Sequence, residues 1–321
     1  MAHNGTGFIA LLASLALIAR TQTADPIASE PSPRAEPSLL AHSTPLLASS
    51  EESLAVERFS KQRAMRHVRK LAGDIGIRVK ATNNERRGAR YIAEKFRSFG
   101  YRTNVQKFSV GGGTSRNVVA WWPGAKRYPF VVGGHMDTVP GSPGANDNAS
   151  GTAVILELAR ILAGTPQANL IRFVAFGSEE YGEGGSHHDG SRHYVERLGD
   201  EGRRRLAGMI SVDMIADGRP LLIGHSNIAG KPIVARTVYN KMKEAGFNVD
   251  LITLCDCSDH GPFEHAGIPA SFAYSGKEPD YHSPSDTASN LVPDDLLRTG
   301  RAVRAFLLKL DMDMIRRFRR A

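Results

Sequence analysis

The chain has 321 residues, of which 41% are hydrophobic and 23% are charged. This composition is typical of a globular protein and excludes a disordered chain, a collagen-like repeat and, with only two cysteines, a disulfide-rich scaffold. The 41 Lys and Arg against 33 Asp and Glu give a net charge of +8, so binding to nucleic acid or to an anionic surface has to be weighed.

The N-terminal residues have the pattern of a targeting segment. The apolar stretch from Gly7 to Ala19 would form about 20 Å of helix, too short for a hydrocarbon core of about 30 Å. Small residues follow it, so we predict a signal peptide over residues 1–24 and a secreted, extracellular or periplasmic protein, with an uncleaved anchor as the alternative. Residues 25–54 are rich in Pro, Ser and Ala and are predicted to be a linker or pro-segment. No other stretch has the length and apolarity of a membrane span.

Helix-like and strand-like segments alternate along residues 55–321, which we predict to be one catalytic domain. Predicted helices cover residues 58–71 (closed by Gly73), 85–99, 150–163, 232–245 and 294–317. Predicted strands cover residues 103–110, 117–122, 128–133, 170–176, 208–212 and 248–254. This alternation indicates a three-layer α/β/α fold, with a central mixed, largely parallel sheet flanked by helices.

Three of the predicted buried strands end in ionisable residues. The residues that follow these strands are His135 and Asp137, Glu179 and Glu180, and Asp213. Ligands of open α/β sheets bind beyond the carboxyl ends of the strands, and an ionisable group at the end of a core strand must be paired, hydrated or bound to metal. Separate helix caps and surface pairs are the alternative, but three such ends together favour a single site.

The types of candidate ligand point to zinc. Imidazole and carboxylate without thiolate are typical of a catalytic zinc site, although cobalt or manganese can occupy the same ligands. The candidates are His135, Asp147, Glu180, Asp213 and His282. One metal needs three protein ligands and water, so five ligands serve two metals if one carboxylate bridges them. Two metals about 3.5–4 Å apart can hold a hydroxide between them and polarise a carbonyl.

Two further carboxylates complete the predicted site. Glu179 lies beside the ligands and can take the proton of the attacking water and pass it to a leaving amine. Asp137 lies two residues after His135 and is well placed to hold the other N–H of that imidazole.

Five motifs, GGHMDT, GANDNASG, FGSEE, SVDM and YHSPSDT, occur in this order along the chain. Both the motifs and their order resemble those of the secreted bacterial di-zinc aminopeptidases. The wider family of these enzymes includes leucine aminopeptidases, glutamate carboxypeptidase, glutaminyl cyclases and transferrin receptors. The segments ERRGARYIAEKFRSFGY and SDHGPFEHAGIPA are also similar to this family. The resemblance covers residues 63–310 and implies the zinc-exopeptidase fold, which is phosphorylase/hydrolase-like.

The resemblance also implies which residues hold each metal. Asp147 would bridge two zinc ions per chain. His135 and Asp213 would complete the ligand set of one ion, and Glu180 and His282 that of the other.

The catalytic roles follow from the same resemblance. Glu179 would be the general base toward a metal-bridged water, and Tyr281 would donate a hydrogen bond to the tetrahedral oxyanion. The peptide bond between Asp147 and Asn148 would be cis. The implied activity is that of an aminopeptidase, which removes N-terminal residues from peptides with a free N-terminus.

Two features need separate interpretation. The stretch after the double Glu is longer than in the family, so His187, His188 and Asp189 lie on an inserted loop. This loop is either a polar surface loop or a rim that shapes substrate access or binds an extra ion. For Cys255 and Cys257, a bridge across a single residue is strained and uncommon, which slightly favours free thiols. Secreted relatives, however, often carry a disulfide in this neighbourhood.

Three other functions remain as alternatives. A glutaminyl cyclase-like acyltransferase would hold one zinc. A dinuclear carboxypeptidase of the amidohydrolase type usually has a different motif after its bridging Asp, and the sequence Asn-Ala-Ser-Gly after Asp147 argues against it. A non-catalytic, receptor-like binding domain is disfavoured because every ligand position is filled.

The basic charge does not predict a nucleic-acid partner. The Arg-rich segments contain no recognisable binding module, and only Phe318 interleaves with their cations. We therefore interpret the excess as a solvated basic face. A monomer is favoured, although the sequence leaves the oligomeric state open.

Overall fold

The computed structural model describes residues 58–125, 129–180 and 187–321. The predicted signal peptide and linker lie outside these residues. Eight strands are present in the described ranges: β1 Arg102–Val110, β2 Gly113–Trp121, β3 Phe130–His135, β4 Ile171–Phe176, β5 Gly208–Val212, β6 Leu221–His225, β7 Val249–Thr253 and β8 Ala270–Tyr274. They form one sheet in the order β1-β2-β4-β3-β5-β8-β6-β7.

The sheet is mixed, with its parallel part in the centre. The pairs β3/β4, β3/β5, β5/β8 and β6/β7 are parallel, whereas β1/β2, β2/β4 and β6/β8 are antiparallel. His135, the last residue of β3, pairs with Phe176, the last residue of β4. Neighbouring parallel strands therefore end at the same edge of the sheet, where the predicted site residues follow them.

Helices cover both faces of the sheet. The described α-helices are α1 Lys61–Val68, α2 Asn83–Ser98, α3 Gly151–Leu162, α4 Asp189–Arg197, α5 Gly199–Arg205, α6 Ile233–Glu244, α7 His260–His265, α8 Pro293–Leu307 and α9 Met312–Arg320. Alternate residues of β4 belong to two different apolar clusters, with Phe173 in one and Val174 in the other. Successive strand side chains point to opposite faces, so these clusters are the two cores of a three-layer fold, as predicted.

Some predicted elements need correction. The helix predicted to close at Gly73 continues as a π-helical turn, Arg69–Ile75, and ends at Gly76 with φ 76°. The helix predicted over 294–317 is two helices, because the side chain of Asp311 accepts a hydrogen bond from the Met314 N–H and starts α9. The prediction missed α4, α5, α7, β6 and β8. The other ends lie within four residues of those predicted.

No helix within the described ranges is both long and apolar enough to cross a bilayer.

His67 in α1 makes the stability of the fold depend on pH. Its Nδ1 atom lies 2.6 Å from the hydroxyl of Tyr91. Burial, together with the positive charges of Lys95, Arg66 and Arg63, lowers the pKa of His67 from 6.5 to about 4. The folded protein therefore keeps this imidazole neutral at a pH where the unfolded chain protonates it. The stabilisation is fully present above about pH 6.5 and is lost as the pH falls toward 4.

We expect wild type to lose about 2 kcal/mol more unfolding free energy than His67→Phe when the pH falls from about 7.5 to about 5. Denaturant unfolding of both proteins at the two pH values measures this difference. The comparison between the two proteins cancels the titration of all other groups. Equal losses in the two proteins would show that His67 is not held neutral.

Candidate metal centre

The carboxyl ends of β3, β4 and β5 bring the predicted ligands to one edge of the sheet. His135 ends β3, and Asp213 directly follows β5. Glu179 and Glu180 follow β4 after two intervening residues, Gly177 and Ser178. All four side chains are buried. The structure therefore brings together the three strand ends that the sequence singled out.

Two groups of possible metal ligands share one aspartate. Within each group the ligand atoms lie within 4.8 Å of one another: His135, Asp147 and Asp213 in one, and Asp147, Glu180 and His282 in the other. The Nε2 atom of His135 lies 3.1 Å from Oδ1 of Asp147, and Nε2 of His282 lies 3.2 Å from Oδ2 of the same aspartate. Each carboxylate oxygen of Asp147 thus faces a different histidine, as expected of a bridging ligand.

The chemistry of this cluster fits divalent cations. Four buried atoms in it have no hydrogen-bond partner within the described part of the chain: His135 Nδ1, Glu180 Oε1, Asp213 Oδ1 and His282 Nε2. The cluster contains five carboxylates, including Asp137 and Glu179, against two imidazoles among the ligands and a third, that of His188, beside Glu179. Even with all three imidazoles protonated, negative charge would be in excess, and buried charge of one sign is costly without counter-charge.

Protons and metal ions compete for these ligands. Burial raises the pKa of Glu180 well above its usual range. Burial alone would lower the pKa of His282, but contacts with the carboxylates of Asp147 and Glu180 outweigh it and raise this pKa to about 10. A metal ion needs the deprotonated ligands, so its binding releases protons and its affinity falls in acid.

Asp137 links two of the strand ends. It is fully buried, and its Oδ1 atom lies 3.6 Å from Nδ1 of His135. Its two carboxylate oxygens also accept hydrogen bonds from the backbone N–H groups of Glu179 and Glu180, at 3.1 and 3.2 Å. The sequence predicted that Asp137 holds the N–H of His135; the 3.6 Å separation is a close contact but not a hydrogen bond. The two hydrogen bonds from the backbone of the double Glu were not predicted. Asp137 is therefore placed to orient His135 and the double Glu together.

The two predicted catalytic side chains lie beside the ligand groups. Glu179 forms a third cluster with His135 and Glu180 in which the ligand atoms lie within 4.8 Å. The ring of Tyr281 stacks on that of His282, with 3.7 Å between centroids, and the Lys277 ammonium lies 4.6 Å from the Tyr281 ring centroid. The roles assigned to Glu179 and Tyr281 remain predictions.

The backbone next to these residues has unusual conformations. Ser178, Met214 and His282 have φ values of 54°, 48° and 58°, in the left-handed region that non-glycine residues rarely adopt. Ser178 precedes Glu179, and Met214 follows Asp213. Such conformations concentrate at functional sites, where the surrounding structure holds them. The peptide bond between Asp147 and Asn148 is cis, as the resemblance implied.

Other side chains hold the ligands in place and were not predicted. The hydroxyl of Ser258 donates to Oδ2 of Asp213 at 2.9 Å, across 45 residues. The carboxylate of Asp286 accepts the backbone N–H groups of Asn146 and Asp147, at 2.6 and 3.1 Å. Ser258 and Asp286 lie in segments that carried the family resemblance, and this was the only sequence signal available for them.

Arg78 anchors the loop that carries Asp147. Its side chain is fully buried and donates to backbone carbonyls before and after β3. The acceptors are the carbonyl oxygens of Leu71, Gly76, Met136, Pro143 and Gly144, at 2.8 to 2.9 Å. Nε donates to Met136 and Nη2 to Gly144, while Nη1 is shared among the other three carbonyl oxygens. No short motif marked this residue.

Replacing Arg78 with methionine is expected to lower the unfolding free energy by about 3 kcal/mol or more, because several buried carbonyl groups would lose their donors. Arg90, an exposed residue of α2, provides a matched control, and Arg90→Met should change stability by less than about 0.5 kcal/mol. Denaturant unfolding measures both. Equal effects at the two positions would contradict an anchoring role.

The structure describes both cysteines and part of the inserted loop that follows the double Glu. Cys255 and Cys257 form a disulfide, so the slight preference for free thiols was wrong. Their Cα atoms lie 5.1 Å apart after β7, a separation that a disulfide can span. Residues 181–186 of the inserted loop lie outside the described ranges. His188 is half-buried, and its Nε2 atom lies 3.1 Å from Oε1 of Glu179. Both interpretations of the loop stay predictions.

Comparisons with known proteins agree with this geometry. A model of peptidase family M28 matches residues 117–307. Aminopeptidase YwaD of Bacillus subtilis is 36% identical over 209 residues, which cover 60% of this chain and 44% of that protein. The match thus spans less than half the length of that relative.

Solved structures share the fold. BSAP, a zinc aminopeptidase from Bacillus subtilis, superposes with a TM-score of 0.71 at 21% identity, over 78% of this chain and 95% of that one. A glutaminyl cyclase from Bacteroides thetaiotaomicron superposes with a TM-score of 0.70 at 21% identity, over 79% and 99%. The family model covers more than half of the chain and includes all five predicted strand-end residues and both loop ligands in their expected order. The chain belongs to peptidase family M28.

Proposed function

We propose that the chain is a di-zinc aminopeptidase that hydrolyses the first peptide bond of peptides with a free N-terminus. The observation that carries this proposal is the pair of ligand groups that share Asp147, with Glu179 beside them. Aminopeptidase YwaD and the zinc aminopeptidase BSAP, which resemble this chain in sequence and in fold, support the same activity.

His135, Asp147 and Asp213 would hold one zinc ion, and Asp147, Glu180 and His282 the other. When bound, the metals supply Lewis-acid activation of the substrate carbonyl and of the attacking water. The donor set suits zinc, and cobalt or manganese are accepted by the same types of ligand.

Glu179 would move the proton. Its carboxylate takes a proton from the attacking water and then donates it to the amine that leaves. Burial is the largest influence on Glu179 and raises its pKa well above the usual range. Nearby divalent cations would lower this pKa and favour the ionised form that a general base needs.

Tyr281 and Asp137 would support the reaction from two sides. The hydroxyl of Tyr281 is proposed to donate to the oxyanion of the tetrahedral intermediate, which its position against His282 supports. Asp137 orients His135 and the backbone of the double Glu through its three contacts. Neither role requires either residue to touch a metal.

A panel of aminoacyl arylamides tests the proposal. The zinc-loaded protein is expected to release the arylamine from substrates with a free α-amino group and not from their N-acetylated counterparts. Peptides that differ only in a blocked or free C-terminus should be cleaved at equal rates. Faster cleavage of blocked substrates, or a requirement for a free C-terminus, would contradict an aminopeptidase.

A glutaminyl cyclase is the second candidate, because such an enzyme has an equally similar fold. It would hold one zinc per chain and would convert an N-terminal glutamine to a cyclic product with release of ammonia. Metal analysis and mass spectrometry of a peptide that begins with glutamine separate the two. A mass loss of one ammonia without shortening of the peptide would favour the cyclase.

The sequence further supports a secreted or periplasmic protein, with residues 1–24 as signal peptide, 25–54 as linker or pro-segment and 55–321 as catalytic domain. We propose this organisation together with the activity. N-terminal sequencing of the exported protein tests the cleavage site.

A further inference from the structure

His188 lies against the carboxylate to which proton transfer is assigned. Its Nε2 atom lies 3.1 Å from Oε1 of Glu179, and only 14% of its side chain is exposed. The backbone N–H of His188 also donates to the carbonyl of Glu179 at 2.9 Å. The residue at the end of the inserted loop thus contacts Glu179 through both its backbone and its ring.

The surrounding contacts hold His188 in this position. Its backbone has φ 60° and ψ 32°, in the left-handed region, where histidine is among the more frequent non-glycine residues. The next residue, Asp189, donates its N–H to the carbonyl of Ser178 at 2.8 Å and accepts a hydrogen bond from the Ser178 hydroxyl at 2.9 Å. Residues 178–179 and 188–189 are therefore joined by three hydrogen bonds, which fix the backbone from which the ring of His188 extends toward Glu179.

The two segments of this contact, residues 177–179 and 188–190, also approach each other closely. A Cβ atom on Gly190 would lie 2.1 Å from the carbonyl oxygen of Gly177, so only glycine fits there. This packing brings the start of α4 against the end of β4. The position of the His188 backbone is thus fixed by contacts between the end of β4 and the start of α4.

We propose that His188 is a positioning residue for Glu179, holding its carboxylate in the orientation needed for proton transfer. With its proton on Nε2, the imidazole donates to Oε1 and leaves the other carboxylate oxygen to face the reacting atoms. A glutamate has three rotatable side-chain bonds, so an orienting donor removes rotamers that point away from the water. This inference rests on the proposed function, because it gives Glu179 the proton-transfer role.

Two substitutions separate hydrogen bonding from packing. Phenylalanine at position 188 fills the space of the ring without a donor, whereas glutamine carries an amide nitrogen that reaches approximately the place of Nε2. In zinc-loaded protein, His188→Phe is expected to lower kcat about 10- to 100-fold with little change in KM or bound zinc. His188→Gln should recover most of this loss. A loss of zinc in His188→Phe, or equal activity of the two variants, would overturn the proposal.

His265 offers a matched control. It lines the same cavity as His188, of about 430 Å³, from α7, and its Nε2 atom lies 2.8 Å from Oδ2 of Asp256. His265→Phe is expected to leave kcat within about twofold of wild type, because a surface substitution of this kind has little effect. A loss comparable with that of His188→Phe would point to a general effect of the cavity and against positioning.

A double substitution tests whether His188 acts through Glu179. In the Glu179→Gln background, His188→Phe should cause no further loss of kcat, since the group it orients no longer transfers a proton. A full additional loss would overturn the inference.

Crystal structures provide a readout that needs no activity. Glu179 is expected to keep its rotamer in His188→Gln and to change it in His188→Phe. If the wild-type protein cleaves no aminoacyl substrate, the proposed function fails while this structural comparison still decides the positioning role. An unchanged Glu179 in His188→Phe would reject positioning even in an active enzyme.

Discussion

Replacing Glu179 with glutamine is expected to lower kcat by about 10²- to 10⁴-fold, the usual contribution of a positioned general acid and base. Glutamine has nearly the same shape as glutamate but accepts no proton at neutral pH. The hydrogen bonds that Asp137 makes to the backbone of the double Glu do not involve the changed side chain. The loss should therefore appear in kcat, with bound zinc and the unfolding free energy close to those of wild type.

The neighbouring residue makes this test specific. Glu180 is the next residue along the chain, but it belongs to a ligand group: its Oε2 atom lies 3.2 Å from Nε2 of His282. Glu180→Gln should lower the amount of zinc that survives dialysis, whereas Glu179→Gln should not. Zinc content and turnover measured on both variants distinguish a proton carrier from a ligand. Near-normal turnover of Glu179→Gln would remove this residue from the mechanism.

The sequence predicted the part of the site that depends on local pattern. His135 and Asp213 follow buried apolar runs, and such runs mark strands whose carboxyl ends meet at one edge of a parallel sheet. Asp147 and His282 lie outside the predicted strands, where periodicity gives no position. Their side-chain chemistry made them candidate ligands, and the resemblance to a known family implied the role of each. The shared position of Asp147 between the two ligand groups agrees with that resemblance.

The contacts that hold the ligands could not be predicted in this way. The nitrogen of Asp147 and the carboxylate of Asp286 are separated by 139 residues, and Arg78 is 66 residues from Gly144. Spacing rules describe neighbours on one helix or strand and say nothing of which distant loops meet. A buried arginine is unusual enough to be informative, but its burial is visible only in the folded chain.

The missed elements have a similar explanation. Strand β6 contains Gly224 and strand β8 contains two alanines, residue types that are depleted in strands, so neither run stood out, although β5 and β7 are equally short. The break before α9 was visible in principle, because Asp311 is a favourable N-cap three residues before Met314. The apolar periodicity continued across the break and concealed it.

Replacing Asp147 with alanine is expected to remove both zinc ions, because it is the only residue common to the two ligand groups described above. His282→Ala removes a ligand from one group alone and should retain about one zinc per chain. Wild type should hold two, and both variants should lose most of their turnover. Zinc per chain after exhaustive dialysis, measured by atomic emission, tests the difference.

Thermal unfolding gives the same prediction a second measurement. Bound metal stabilises the folded state by mass action, so a chelator should lower the Tm of wild type substantially. The chelator-induced shift should be smaller in His282→Ala and close to zero in Asp147→Ala. Equal zinc content and equal shifts in the two variants would show that Asp147 does not bridge. A single zinc in wild type would instead favour the cyclase, which would hold one zinc per chain.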